Sequence, residues 1–402
     1  MRRITKLMEG WQFTGPDGVT AAVELPHTWN AKDGQDGGND YWRGTCTYRT
    51  SFAAPAYDPA RQQVWLQFEG VNASAAVLLN GQKLCAHDGG YSTFRAEVTE
   101  LLQAENQLTV QVDNSVNDRV YPQKADFTFY GGIYRDVSLL VVSKNHIALG
   151  HLGDTGVKIT PALKEDSADI RVETRVEGEG TVTVELLDAE GSTVARAEGE
   201  STSLHLDAPH LWDGVKDPYL YTCIVRLRSD GEPVDEVTTK VGLRTFAVDA
   251  KKGFFLNGRP YPLHGVSRHQ DRKGLGNAIT REMHDEDMAL IRELGANTVR
   301  LAHYQHDQYF YDLCDRYGMV VWAEIPYISE HLPNGRENTL SQMKELICQN
   351  YNHPSIVCWG VSNEITISTK DKADMLDNHR VLNELCHRMD PTRLTTLACY
   401  AM

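Results

Sequence analysis

The chain has 402 residues, 41% hydrophobic and 24% charged, enough for two or three domains with sizeable cores. Its 55 acidic and 40 basic side chains give a net charge of −15, and the Lys and Arg residues are scattered, which argues against a phosphate-binding stripe and against nucleic acid as a partner. The basic opening "MRRITKLMEGWQF" lacks the apolar core of a secretory signal, and no run approaches the roughly 20 apolar residues of a membrane helix. Eight widely spaced cysteines without a CxxC pair read as reduced, mostly buried thiols of a cytoplasmic protein.

Up to about residue 248, short alternating runs such as "QQVWLQFEGV", "SAAVLLNGQ", "NQLTVQVDN" and "GTVTVELLDAEG" are punctuated by Gly, Asn and Asp turns. That rhythm predicts antiparallel β-sandwiches. A break near "VVSKNHIALG" divides the region into two, one sandwich ending near residue 146 and a simpler one of about seven strands spanning 147–248.

From "GFFLNGRPYPLHGV" onward, over 249–402, the rhythm is strand, helix, strand, helix. Apolar runs at "YPLHGV", "NTVRLAH", "MVVWAEI", "SIVCWGV" and "RLTTLACYA" alternate with helical spacings. These are Met288, Ile291 and Leu294; Tyr309, Phe310, Leu313 and Tyr317; Leu340, Met343 and Ile347; and Met375, His379, Leu382, Cys386 and Met389. Gly295 and Gly318 stand where helix C-caps are expected, and Asp390-Pro391 stops the last helix.

Continuous apolar strands joined by amphipathic helices predict a parallel sheet, either a (β/α)8 barrel or an open doubly wound sheet. Polar residues gather after the strands: "SRHQD", then Arg300 and His303, then Glu324 and "SEH", then Asn363 and Glu364. A barrel builds its site at that face, whereas "HGVSRHQDRKG" is not the Gly-rich turn of a phosphate-binding open sheet. Within "CWGVSNEITIS", Glu364 suits a general acid, with Trp359 supplying the partial desolvation that raises a carboxyl pKa and Asn363 hydrogen-bonding a substrate hydroxyl.

Several separated segments, in order, resemble glycoside hydrolase family 2, and within it the β-galactosidases. They are "LPHTWN", "GGIYRDV", "LHGVSRHQD", "RLAHYQHDQYFYDLCDRYGMVVWAEIPYISEH" and "NHPSIVCWGVSNE". The resemblance implies a jelly-roll sandwich, an immunoglobulin-like sandwich and a (β/α)8 (TIM) barrel, here present through about its fifth strand. By motif, the acid/base falls on Glu364 with Asn363 beside it. His303 and Arg300 of "R-x-x-H-Y" and His269 of "G-V-x-R-H" would contact the sugar, and Asp126 in "DFTFYGGIYRDV" would reach it beside a sodium ion. The family's magnesium-binding "E-T-H" appears as "SEH", one residue longer in its loop, a departure that counts against that metal.

Each assignment has a plainer rival: a barrel-rim pair for His303 and Arg300, a solvated His269, and a turn residue at Asp126. Core or rim packing is the ordinary role of Tyr304, Trp322 and Tyr327, and His331 is a secondary candidate.

Retaining glycosidases need two carboxylates about 5 to 5.5 Å apart, and a closed barrel takes about 250 residues, rarely fewer than about 200. The segment from Gly253 onward is shorter, so the expectation is a chain that supplies the acid/base but not the nucleophile. A C-terminal segment or a second polypeptide would then complete it, with Glu324 and Glu330 the only nearby carboxylates that could substitute, and the resemblance implies a homo-oligomer. A β-glucuronidase of the same family and a non-catalytic carbohydrate-binding fragment are the alternatives.

Overall fold

A computed structural model describes residues 1–33 and 41–400. Along Thr45–Ala53 every second side chain is buried, namely Cys46, Tyr48, Thr50 and Phe52. Glu105–Asp113 repeats the pattern and pairs with it antiparallel, Val110 opposite Tyr48. A period of two makes one face of a pleated sheet apolar, and that face must find another to bury it. Here a six-stranded and a four-stranded antiparallel sheet close on Trp11, Tyr48, Leu66, Phe68, Leu79 and Leu108. A second sandwich, of a three-stranded and a four-stranded sheet, closes on a core that runs from Ile147 to Leu243.

The stretch expected to open the βα series is instead antiparallel. Phe246–Asp249, Gly253–Leu256 and Arg259–Pro260 form a small three-stranded sheet. Its second turn is Asn257-Gly258, with φ of 50° and 75°, and an Asn-Gly pair in the left-handed region is a strong hairpin signal. The first parallel strand therefore comes later, at Gly265–Arg268.

Five parallel strands follow in sequential order: Gly265–Arg268, Thr298–Leu301, Val320–Glu324, Ile356–Asn363 and Leu394–Ala398. Between them run α1 (Arg281–Glu293), α2 (Gln308–Tyr317), α3 (Arg336–Asn350) and α4 (Lys372–Met389). Asp307 caps α2 by accepting from the Tyr309 amide, Gly318 ends it at φ 75°, and Asp371 caps α4. Val299, Leu301, Val321, Ala323 and Trp359 pack toward the helices, so the alternate residues Arg300, Trp322, Glu324 and Gly360 share the opposite, inner face. Among the described residues the first and last of the five strands each pair on one side only, and Leu394 and Leu397 of the last are exposed. Among the described residues no helix is long and apolar enough to cross a membrane.

Helix α3 fixes the first sandwich to this sheet. Met343, Leu346 and Ile347 join the core under the strands, while buried polar residues of the same helix face the sandwich. Asn338 accepts from the Tyr121 amide at 2.9 Å, Glu345 binds His87 at 2.9 Å, and Gln349 bonds both the amide and the carbonyl of Thr93. Arg135 adds a buried bridge, donating to the carbonyls of Tyr91 and Gln305 at 2.6 and 3.0 Å. These contacts hold a loop of the sandwich over the carboxyl ends of the parallel strands.

Candidate active site

Glu364 follows the last residue of the fourth parallel strand, half-buried, with its backbone at φ 47°. Its amide donates to the Ala398 carbonyl at 2.8 Å, and the Asn363 amide donates to the Tyr327 carbonyl at 2.9 Å, so neighbouring segments grip the turn from both sides. The expected role of Trp359 is not what the structure holds. Its ring is fully buried on the helix side, where Nε1 donates to Asp390 at 3.0 Å. Side chains alternate along a strand, and Trp359 lies on the face away from Trp322 and Glu324, so it is not the group that desolvates Glu364.

The inner face carries a charged network instead. Arg300 donates from Nε and Nη2 to the two oxygens of Glu324, at 3.0 and 2.9 Å, and from Nη2 to Asn363 Oδ1 at 2.7 Å. His303 Nδ1 meets the same Glu324 at 2.7 Å, and the Arg300 guanidinium lies 4.3 Å over the Trp322 ring. A fully buried carboxylate is tolerable only when it is paired and hydrogen-bonded, and Glu324 is both. Both of its oxygens are thus engaged by Arg300 and His303. Gly360 makes room for it, since a Cβ there would collide with Glu324 Cβ and Trp322 Nε1.

His269 joins the group from the loop after the first parallel strand. Its ring stands edge to face with His303, centroids 5.2 Å apart, and its Nδ1 is 3.2 Å from the Tyr304 hydroxyl. Burial, followed by the nearness of His303, lowers its pKa. Tyr304 is buried, stacks on Tyr91 at 4.4 Å and accepts from the Gln270 amide, which makes it a support under His269.

The first sandwich supplies the opposite wall. Asp126, exposed, and Phe127 line a cleft of about 630 Å³ together with Thr128, Tyr130, His269, Asp271, Arg272 and Lys273. The Phe127 ring is 4.9 Å from that of His269 and 6.2 Å from that of His303. All six expected site residues thus fall in one region, Glu364, Asn363, Arg300 and His303 at the strand ends and His269 and Asp126 at the cleft. Phe127 was missed although it follows Asp126 directly, because nothing in a β-rich segment says that it reaches a distant sheet. The clamping role of Glu324 was missed too, although a carboxylate closing the apolar run "MVVWAE" carries the same signal as Glu364.

His331 belongs elsewhere. Its Nδ1 meets the Tyr327 hydroxyl and its Nε2 meets Asp374, both at 2.6 Å. Both ring nitrogens of the "SEH" histidine thus have protein partners.

The family comparisons agree in order along the chain. The model described as "Glycosyl hydrolase 2 galactose-binding domain-like" matches residues 35–173, "Glycosyl hydrolases family 2" matches 151–244, and "Glycosyl hydrolases family 2, TIM barrel domain" matches 246–400. A β-glucuronidase of Bacteroides fragilis is 39% identical over 98% of this chain and 60% of its own length. A β-galactosidase of Thermoanaerobacter pseudethanolicus is 28% identical over 97% of this chain and 53% of its own. The crystal structure of an FMN-binding β-glucuronidase from F. prausnitzii L2-6 superposes with a TM-score of 0.96 at 42% identity, covering 99% of this chain and 64% of that one. The chain thus spans a little over half the length of these relatives, and it belongs to glycoside hydrolase family 2.

Proposed function

We propose that the protein is a retaining β-glycosidase whose substrates are terminal β-glucuronides, with Glu364 as acid/base. The observation that carries this reading is the placement of Glu364 at the carboxyl end of the parallel sheet, next to Asn363, which accepts from Arg300, while Arg300 and His303 are both held on one buried carboxylate. Glu364 protonates the glycosidic oxygen while a second carboxylate attacks the anomeric carbon. Water then releases the sugar with Glu364 acting as base. Because the oxygens of Glu324 are engaged, the attacking carboxylate is assigned to a part of the protein outside the described residues. Asn363, Arg300, His303 and His269 orient the sugar, with Asp126 at the rim and sodium as its proposed neighbour.

The choice of glucuronide over galactoside is supported by the relatives, among which β-glucuronidases share 39% and 42% identity against 28% and 31% for two β-galactosidases, while a structure described as a putative β-galactosidase from Bacteroides fragilis shares 38%. Galactosides are the second reading. The test is hydrolysis of p-nitrophenyl β-D-glucuronide and β-D-galactoside by the full-length protein. The expected kcat/KM is about 10²-fold or more higher for the glucuronide, as for a site built to pair a polar substrate group. The reverse ranking would return the galactoside, and sugar binding without turnover of either would leave a non-catalytic role.

A further inference from the structure

Far from the strand ends, Cys348 of α3 comes close to His151 and Asp154, two residues of the link that leads into the second sandwich at Val157–Leu163. One ligand atom from each, a ring nitrogen, a carboxylate oxygen and the thiol sulfur, lie within 4.8 Å of one another, and Cys348 Sγ is 3.9 Å from His151 Nε2. Around a tetrahedral metal with bonds of about 2.0 Å to nitrogen and 2.3 Å to sulfur, those two atoms stand about 3.6 Å apart. A small rotation of the exposed His151 ring closes the difference.

The protein's own contacts set this arrangement. The turn 151–154 closes with the Asp154 amide on the His151 carbonyl at 3.1 Å, its middle residues Leu152 and Gly153 at φ of 47° and 70°. Gln349, the neighbour of Cys348, donates to the Leu152 carbonyl at 2.7 Å and so docks the turn on α3. Gly153 permits that approach, since a Cβ there would collide with the Thr93 carbonyl oxygen and Gln349 Nε2. Buried Asp154 is oriented by the Gly156 amide on Oδ1, at 2.9 Å, and by Arg175 on Oδ2. Such outer bonds fix a ligating carboxylate, and each oxygen keeps a lone pair for a metal. The Arg175 charge disfavours a cation held by oxygen alone, such as magnesium or calcium, whereas imidazole and thiolate select zinc and its neighbours. In the comparable trio of Asp312, Asp315 and His353, Asp315 and His353 already satisfy each other at 2.6 Å.

We infer that His151, Asp154 and Cys348 form a zinc site that clasps the link between the two sandwiches to α3. Binding turns the Cys348 thiol into a zinc-bound thiolate, its proton passes to solvent, and water takes the fourth position. Asn338, Glu345 and Gln349 of the same helix hold the first sandwich over the strand ends, so the clasp fastens a second joint on the element that aligns the domains. Its contribution is to stability and is independent of the glycosidase reading.

The experiment titrates the chelator-treated full-length protein with cobalt(II), whose thiolate charge-transfer absorption reports a bond to sulfur, and then with zinc(II), which displaces it. The unmodified protein should show that absorption, and zinc should raise its urea midpoint, as any ligand of the folded state does. Cys348→Ser should abolish the absorption and the zinc-dependent shift together. His151→Ala, at an exposed position, should weaken zinc at least by the 10- to 100-fold that the loss of an outer partner costs, and it carries the test should Cys348→Ser fail to fold. Calcium at the same concentration should leave the midpoint where it is. Absence of the absorption from the unmodified protein, its survival in Cys348→Ser, unchanged zinc affinity in His151→Ala or an equal shift with calcium would each overturn the inference.

Discussion

His269 and His303 meet edge to face with ring centroids 5.2 Å apart, and one of them, His269, has its pKa lowered by burial and by the other's nearness. The same holds more strongly elsewhere: burial takes His27 and His284 to about 4. In the unfolded chain these imidazoles take up protons near pH 6.5, and in the folded chain only near pH 4. Between those values the unfolded state binds more protons, so stability is greatest above pH 6.5 and falls as the pH drops, by about 1.4 kcal/mol per pH unit for a buried group such as His284. Glu69, raised to about 7 by burial and by Asp307, works in the opposite direction and makes the net slope smaller. Urea midpoints measured at pH 7, 6 and 5 should fall steadily, and His284→Asn should flatten the trend. A midpoint constant down to pH 5 would contradict it.

Replacing Glu364 by Gln keeps the size of the side chain and removes the titrating proton. Turnover of glycosides with poor leaving groups should fall about 10²- to 10⁴-fold, the usual contribution of general acid catalysis. Formation of the glycosyl-enzyme from activated aryl glycosides should be largely spared, since those leaving groups depart without a proton. Steady-state and burst kinetics on both substrate types separate the two effects. Equal losses on both would remove Glu364 from the acid role.

Asp390 is fully buried and accepts from Trp359 Nε1, Arg393 Nη1 and the Thr392 amide and hydroxyl. Asp390→Ala strands the Arg393 guanidinium in the interior, and breaking a buried pair from one side costs about 3 to 5 kcal/mol. A denaturant midpoint shifted by less than a third of that would mean that water replaces the carboxylate.

Phe127 belongs to the first sandwich, yet its ring touches both histidines of the sheet. Phe127→Ala should raise KM about tenfold or less, in line with the roughly 0.5 to 1.5 kcal/mol of an aromatic contact, and should leave kcat within a factor of about three. A fall in kcat alone would show that the ring positions His269 or His303 and does not bind substrate.

The five parallel strands and four helices were legible because each helix repeats its apolar residues at 3.6 and three of the four end on a Gly or on Asp-Pro. The hairpin at Phe246–Pro260 was misplaced because its apolar run resembles that of a buried parallel strand, and only Asn257-Gly258 marks the reversal. The facing of Trp359 was illegible for a related reason. In "IVCWGV" both faces of the strand are apolar, so period two leaves no imprint on the sequence. Which residues gather at the strand ends could be read from the motifs. That Glu324 is consumed by Arg300 and His303 could not, because it depends on two strands brought into register.

In the proposed acid/base role, the left-handed backbone at Glu364 sets protein stability against chemistry. A glycine takes φ 47° without penalty, whereas a side chain with a Cβ pays on the order of 1 kcal/mol or more. Laboratory evolution for heat resistance alone should therefore enrich glycine or asparagine at position 364 and yield hardier, inert molecules. Selection for growth on the sugar should hold the glutamate in place. Position 364 is where a screen for robustness and a screen for catalysis would pull the same codon in different directions.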